Sequence, residues 1–308
     1  MHDDAQRDAV QRYVEGTLSG EMAVMYCLEA VPDVDALRAA LDAATVECAG
    51  RAPALARSLD ALADLVLRNR AGCERIARML ASGVDSDRPA ESVEHGIAFC
   101  RRLFDWSVAQ SSESSVALYS LGNPAILEAA TREVVELLVA RGWVTSAREV
   151  LEIGCGIGRF EQALSPHVRS ITGIDVSPRM IEEARQRSAE LGNVSLLACT
   201  GHDLAPFADA SFDLVMAVDS FPYLVQSGMA LVERHFEEAR RVLRPGGDLV
   251  IFEFSYRGDL GRDRDDVSRL AGAHDFTVRD NGTRALSLWD GVLFHLTSHL
   301  RPEPSNPK

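Results

Sequence analysis

The sequence predicts an α/β protein: a doubly wound, mostly parallel seven-stranded sheet whose final strand is antiparallel, preceded by an all-helical domain. Three observations predict it. Beyond residue 115, short apolar runs alternate with amphipathic helical runs, the pattern of a parallel sheet covered on both faces. The stretch "VLEIGCGIGRF", residues 150–160, places three glycines at every second position straight after one such run. The first 115 residues or so carry apolar spacings of three and four and no convincing strand.

In the helical part, "DVDALRAALDAATVECAG" puts Val34, Leu37, Leu41 and Ala44 on one face, with Asp33 as N-cap and Gly50 as stop. "APALARSLDALADLVLRN" repeats the pattern through Leu55, Leu59, Leu62 and Leu65/Val66. "ESVEHGIAFCRRLFDWSVAQ" repeats it through Val93, Ile97, Cys100, Leu103/Phe104 and Trp106. The small, polar stretch "AQSSESS" (109–115) reads as a linker. The expected division is a helical domain over 1–115, a sheet domain over 116–300 and a tail over 301–308.

The sheet domain opens with a strong amphipathic helix, "NPAILEAATREVVELLVARGW", capped by Asn123 with Pro124 at its first position. Five strands follow: "EVLEIG" (149–154), "SITGID" (170–175), "VSLLAC" (194–199), "FDLVMAVD" (212–219) and "GDLVIFEFS" (247–255). Near the end, "HDFTVRDNGTRALSLWDGVLFHLTSHL" holds two strand-like runs joined by polar turns, an antiparallel pair at one sheet edge.

The chain has 308 residues, 46% of them apolar and 25% charged, which predicts a packed globular protein. A net charge of -14 argues against nucleic acid and anionic membrane surfaces as partners. The six cysteines form no C-x-x-C pair, and none stands at ligand spacing from a His, so no metal is expected. Scattered thiols suit a reducing compartment. The acidic start "MHDDAQRDAV" has no apolar signal-peptide core, and no apolar run is long enough to span a membrane. A cytoplasmic protein is expected.

The glycines select the ligand. Gly154, Gly156 and Gly158 follow the first strand, where an open parallel sheet binds ligands. Glycine permits a positive φ and a close approach of ligand to backbone. A dinucleotide fingerprint needs a small residue at position 159, which is Arg159. A nucleoside without phosphates, carrying an amino-acid tail, fits better.

Here the segment from about Asn123 to Leu300 resembles the class I S-adenosylmethionine-dependent methyltransferases, a Rossmann-like family. "VLEIGCGIGRF" is similar to that family's first motif, and "ITGIDVSPRM" to its second. "GHDLAPFADASFDLVMAVDSF" resembles the third and fourth, and "EEARRVLRPGGDLVIFEFS" the helix, turn and strand that follow. The resemblance implies S-adenosyl-L-methionine as cofactor. It implies Glu152, Gly154, Gly156 and Gly158 around the methionine end, Asp175 on the ribose, and Val176 and Met180 beside the adenine. His202, Asp203 and Leu204 would form the adenine loop, with Asp219 and Ser220 beside the sulfonium. A carboxylate such as Asp175 can accept two hydrogen bonds from a cis-diol; its alternative is helix capping, for which Ser177 is better placed.

Methyl transfer needs proximity, orientation and a dry site, and a base only where the acceptor must lose a proton. Asp219 and His202 are the candidate bases. "DSFPY" differs from the D-P-P-Y of nucleic-acid amine methyltransferases, in keeping with the charge. His295 and His299, four apart on the last strand and without a carboxylate partner, read as structural. His235, in the polar helix "VERHFEEARR", reads as solvated. Tyr119 and Asn123, in "SVALYSLGNP", are lid candidates; Tyr119 can face the sulfonium through a cation–π contact, or pack in the core. The helical domain is expected to enclose a small-molecule acceptor as a lid, to form a homodimer interface, or both. The leading expectation is methyl transfer to a small molecule, in secondary metabolism. The alternatives are non-methylating chemistry with the same cofactor, such as a cyclisation, and a cofactor-binding interaction protein.

Overall fold

The computed structural model describes residues 2–82 and 90–299. The tail expected over 301–308 lies outside them. The described residues divide into two compact units. A helical unit comprises residues 2–82, 106–133 and 286–290; a sheet unit comprises 90–105, 134–285 and 291–299. The division is therefore not a single cut at 115.

The helical unit contains α1 (His2–Val14), α2 (Gly20–Ala30), α3 (Val34–Cys48), α4 (Pro53–Arg68) and α5 (Arg70–Ala81). Asp33 Oδ1 accepts from the Ala36 N–H at 2.9 Å and so caps α3. Leu37 and Leu41 on α3, and Leu59, Leu62 and Val66 on α4, are buried as their spacing predicts. The sequence reading passed over α2, which buries Met22, Ala23, Val24, Met25, Cys27 and Leu28.

Next come α6 (Val93–Gln110), α7 (Ser112–Val116) and α8 (Pro124–Ala140). The boundary between the units falls inside α6 and α8. The expected linker at 109–115 is instead the end of α6 and most of α7. Its serines cap rather than loosen the chain: the Ser114 N–H donates to Ser111 Oγ at 3.2 Å. Asn123 acts as the cap of α8, accepting from the Ala125 N–H at 2.9 Å, and donates to Asn69 Oδ1 at 2.8 Å.

Tyr119 is packed inside the helical unit. It is 4% exposed and stacks on Trp289, ring centroids 6.0 Å apart. Core packing, the alternative to its catalytic reading, is what this environment supports. A turn beside it sets a strict steric limit. Leu121 has φ 53° and Gly122 φ 65°, and a Cβ on Gly72 of α5 would overlap the Leu121 carbonyl. Gly72→Ala should therefore cost about 3 kcal/mol of helical-unit stability, because backbone, not a movable side chain, blocks it. A denaturant titration followed by circular dichroism checks this.

In the sheet unit the strands are β1 (Glu149–Ile153), β2 (Ser170–Asp175), β3 (Val194–Ala198), β4 (Phe212–Val218), β5 (Leu243–Phe252), β6 (Phe276–Arg284) and β7 (Val292–Ser298). Their order is β3-β2-β1-β4-β5-β7-β6. β1, β2, β3, β4 and β5 pair in parallel, while β7 is antiparallel to both β5 and β6. The last strand thus inserts beside β5 and leaves β6 at the edge. The strand ends are sharp because the next residue turns left-handed: Gly154 at φ 77°, Asp219 at 59° and Glu253 at 64°. These turns end three of the expected runs early, although β5 also begins earlier than expected, at Leu243.

α9 (Arg159–Leu164), α10 (Pro178–Arg187), α11 (Phe221–Ser227), α12 (Met229–Val242) and α13 (Leu260–Ala273) complete the unit. Leu151, Val215, Leu249 and Ile251 from the strands pack with Phe236 and Val267 from the helices. His235 is a correction: it is 2% exposed, with Nδ1 2.9 Å from the Leu231 carbonyl. The polar run around it hid that it shares the inward face of α12 with Val232, Phe236 and Ala239. His295 does have a carboxylate partner, Asp248 at 2.8 Å, which Arg148 also contacts at 2.7 Å. His299 lies beyond β7, its Nε2 2.9 Å from Thr277 Oγ1.

Candidate active site

The switch point lies between β1 and β4, whose outgoing connections start toward opposite sides of the strand order. After β1 the chain turns through Gly154, Gly156 and Gly158, at φ 77°, 53° and 75°. A Cβ on Gly154 would overlap that of Ser220, and one on Gly158 would lie 2.9 Å from Ala184 Cβ. Side chains at these positions would therefore close the turn as well as strain it. Ser220, just past β4, ties the two strand ends together by donating to the Ile153 carbonyl at 2.6 Å.

Asp175 ends β2 and points its carboxylate back to this turn. Oδ2 accepts from the Gly156 N–H at 3.0 Å and Oδ1 from the Ser177 N–H at 2.8 Å. Burial pushes its pKa up to about 6, while those backbone donors pull it down. Helix α10 is capped by Ser177, whose Oγ accepts from the Met180 N–H at 3.1 Å. That leaves Asp175 available to a ligand, as its position in the second motif implies.

Beneath the turn sit two carboxyl groups, Glu152 and Glu161, 1% and 0% exposed. Glu152 Oε2 and both oxygens of Glu161 have no hydrogen-bond partner among the described residues. A Cβ on Gly173, the β2 residue opposite Glu152, would overlap Glu161 Oε1. Glycine there makes room for the second carboxyl. Desolvation, then Glu161, pushes Glu152 well above the usual carboxylate range. Desolvation also pushes Glu161 up to about 7. The pair therefore holds a proton near neutrality and offers an interior site for a ligand's positive charge.

On the expected adenine side, Val176 Cγ1 and Ile97 Cγ2 would lie 2.7 Å and 3.1 Å from a Cβ on Gly201. His202 is exposed. Asp203 forms a local turn, accepting from the Ala205 N–H at 3.1 Å. Leu204 is fully buried in the core, with its N–H bonded to Glu238, and Met180 is fully buried too. Their side chains serve packing in this structure, and the Leu204 backbone is engaged as well, its carbonyl accepting from Arg241 at 3.0 Å.

Sequence reasoning missed the part played by α6. Its first half belongs to the sheet unit. A Cβ on Gly96 would overlap Ser227, so α6 lies close against α11. Asp105 Oδ1 accepts from Ser177 Oγ at 2.7 Å. Cys100 lies near enough to Asp175 for that charge to act on the thiol, which burial pushes up to about 12. Also missed were Glu161, Tyr223 and Tyr256. Their signals were the acid in "GRFEQAL", the last residue of "DSFPY" and the tyrosine just after the fifth strand.

Residues 151–251 match the model of the family described as "Methyltransferase domain". Residues 151–251 of the sheet unit therefore carry a methyltransferase domain. The chain is 37% identical over 113 residues to a demethylmenaquinone methyltransferase from Tropheryma whipplei (strain Twist), covering 37% of this chain and 44% of that protein. It is 36% identical over 129 residues to the O-methyltransferase resE of Aspergillus sclerotiorum, covering 41% and 47%. The chain spans about half the length of these curated relatives. A phosphoethanolamine N-methyltransferase 1 structure from Haemonchus contortus, solved with phosphoethanolamine and S-adenosylhomocysteine, shares the fold. Its TM-score is 0.55 at 18% identity, covering 70% of this chain and 52% of that one.

The family's cofactor is S-adenosyl-L-methionine, and the methyltransferase residues fit it. The glycine turn leaves backbone open, Asp175 presents a carboxylate for a diol, and the unpartnered Glu152 oxygen suits an ammonium. No helix among the described residues is long and apolar enough to cross a membrane.

Proposed function

We propose that the protein transfers the methyl group of S-adenosyl-L-methionine to a small-molecule acceptor. One observation carries the reading: the Asp175 carboxylate is oriented by the Gly156 and Ser177 N–H groups at the mouth of a three-glycine turn. The names of the curated relatives, an O-methyltransferase and a demethylmenaquinone methyltransferase, support a small acceptor. The net charge of -14 supports one that is not nucleic acid.

When bound, the cofactor supplies a methyl group already activated on a sulfonium. The chain's own residues have three tasks. Gly154, Gly156 and Gly158 give the amino-acid end room, and Glu152 and Glu161 neutralise its ammonium. Asp175 holds the ribose, with Val176 and the 201–204 loop at the adenine. Asp219, at the end of β4, takes a proton from the acceptor, and the exposed His202 is the second candidate.

Product analysis tests the reading. S-adenosylhomocysteine formed in step with a methylated acceptor supports it. Methylthioadenosine, or an altered acceptor that gains no methyl, would replace it with non-methylating chemistry. Asp175→Ala should weaken S-adenosylhomocysteine binding by about 1.5–3 kcal/mol, the worth of a charge-assisted hydrogen bond. Calorimetry showing unchanged affinity would remove Asp175 from the site.

A further inference from the structure

A second group of side chains stands next to the glycine turn, and the cofactor does not account for it. Tyr256, just past β5, donates its hydroxyl to Asp219 Oδ1 at 2.7 Å. Asp219 directly follows β4 and precedes Ser220, the residue in contact with Gly154. Tyr223 of α11 meets Tyr256 edge to face, ring centroids 5.7 Å apart at 90°. Phe104 of α6 meets Tyr223 the same way, at 4.9 Å and 77°. Three rings and a carboxylate, brought by α6, α11 and the segments after β4 and β5, thus form one connected cluster.

The cluster is not ordinary core. Tyr256 is 44% exposed, yet its hydroxyl is committed to a carboxylate. Asp219 itself holds a left-handed φ of 59° without being glycine, a conformation that the surrounding structure must maintain. Arg257, the adjacent cation, is turned away to Asp263 and Asp266. The exposed ring and the fixed carboxylate together present a flat apolar surface beside a hydrogen-bond acceptor.

We propose that Asp219, Tyr256, Tyr223 and Phe104 form the acceptor subsite, and that its ligand is a flat ring bearing a neutral hydroxyl group. The proposal rests on the methyl-transfer reading above. Aromatic side chains bind a flat ring by offset or edge-to-face contact. Asp219 accepts the hydrogen bond of the ring hydroxyl and then its proton. Its charge repels an acceptor that arrives as an anion. It would also hold an aliphatic amine as the ammonium, whose nitrogen has no lone pair left to attack. In the transfer, a lone pair of the acceptor oxygen forms the bond to the methyl carbon. The electrons of the broken carbon–sulfur bond stay on sulfur, and the hydroxyl proton passes to Asp219 and on to water. Tyr256 positions the carboxylate with its hydroxyl and contacts the acceptor with its ring.

The test uses three probes on one ring: 2-naphthol, 2-naphthoate and 2-naphthylmethylamine, respectively neutral, anionic and cationic at pH 7. Each is titrated by calorimetry into the full chain saturated with S-adenosylhomocysteine. 2-Naphthol should bind roughly tenfold tighter than 2-naphthoate, which the Asp219 carboxylate repels. 2-Naphthylmethylamine should bind but gain no methyl group when S-adenosyl-L-methionine replaces S-adenosylhomocysteine, because Asp219 keeps it as the ammonium. Tyr256→Ala should weaken 2-naphthol about tenfold, and Tyr256→Phe less, because the ring remains. Both variants should keep S-adenosylhomocysteine affinity within about threefold, since Tyr256 faces the acceptor side. 2-Naphthoate binding as tight as 2-naphthol, methylation of 2-naphthylmethylamine, no 2-naphthol binding, or an unaffected Tyr256→Ala would each overturn the proposal. Failure of S-adenosylhomocysteine to bind the unmodified protein would instead overturn the methyl-transfer reading beneath it.

Discussion

Gly154→Ala should leave a folded protein that has lost most of its affinity for S-adenosylhomocysteine. Gly154 sits at φ 77°, where an L side chain is strained by about 1 kcal/mol. Its new methyl group would also overlap Ser220 Cβ. Relief requires Ser220 to move, which breaks its hydrogen bond to the Ile153 carbonyl and separates the ends of β1 and β4. The expected stability loss is about 1–3 kcal/mol, as for other overpacked sites. The expected affinity loss is about a hundredfold, because the turn that shapes the ligand's seat is the part displaced. Calorimetry on the folded variant measures the second effect, and a thermal melt the first. Unchanged affinity would mean that the ligand does not use this turn.

Glu161→Gln should stabilise the ligand-free protein above neutral pH and make its pH dependence shallower. The Glu161 carboxyl rises from an ordinary 4.5 to about 7 on folding. Between those values the folded state holds a proton that the unfolded state has released. Stability is therefore full below about pH 4.5 and falls as pH rises toward 7. A shift of this size corresponds to about 3 kcal/mol lost across that window. Gln removes the titration, and its amide can donate to Glu152. Melting temperatures measured from pH 4.5 to 8.5 should slope downward for the unmodified protein and less steeply for the variant, in which the buried Glu152 and Asp175 still titrate. A parallel slope in both would show that Glu161 does not carry the effect. A bound ammonium should oppose the same loss, so saturating S-adenosylhomocysteine should reduce the slope in the unmodified protein.

The sheet was legible because its strands are buried on both faces and read as continuous apolar runs between helices. The glycine turn was legible because alternate glycines after a strand have few other uses. Asp175 and Ser177 were legible because one carboxylate and one hydroxyl stood in line for two tasks, and the structure gives the cap to Ser177. Pattern failed where tertiary contact decides. Nothing in the periodicity of 93–110 says that its first half joins the sheet unit through Gly96 and Ile97. His235 looked solvated because its sequence neighbours are charged, whereas its helix-face neighbours are apolar. Tyr119 looked like a lid residue from its place in the chain, but its ring belongs to a stack with Trp289, 170 positions later. The Asp219–Tyr256 contact joins two loops 37 residues apart, and no local spacing encodes it.

The glycine turn and Asp175 are the proposed seat of S-adenosyl-L-methionine. The most direct measurement is a calorimetric titration of S-adenosylhomocysteine into the full chain. One site per chain is expected, with a dissociation constant in the micromolar range or tighter, on the order of -8 kcal/mol. Absence of binding at millimolar S-adenosylhomocysteine, with the protein shown to be folded, would contradict it.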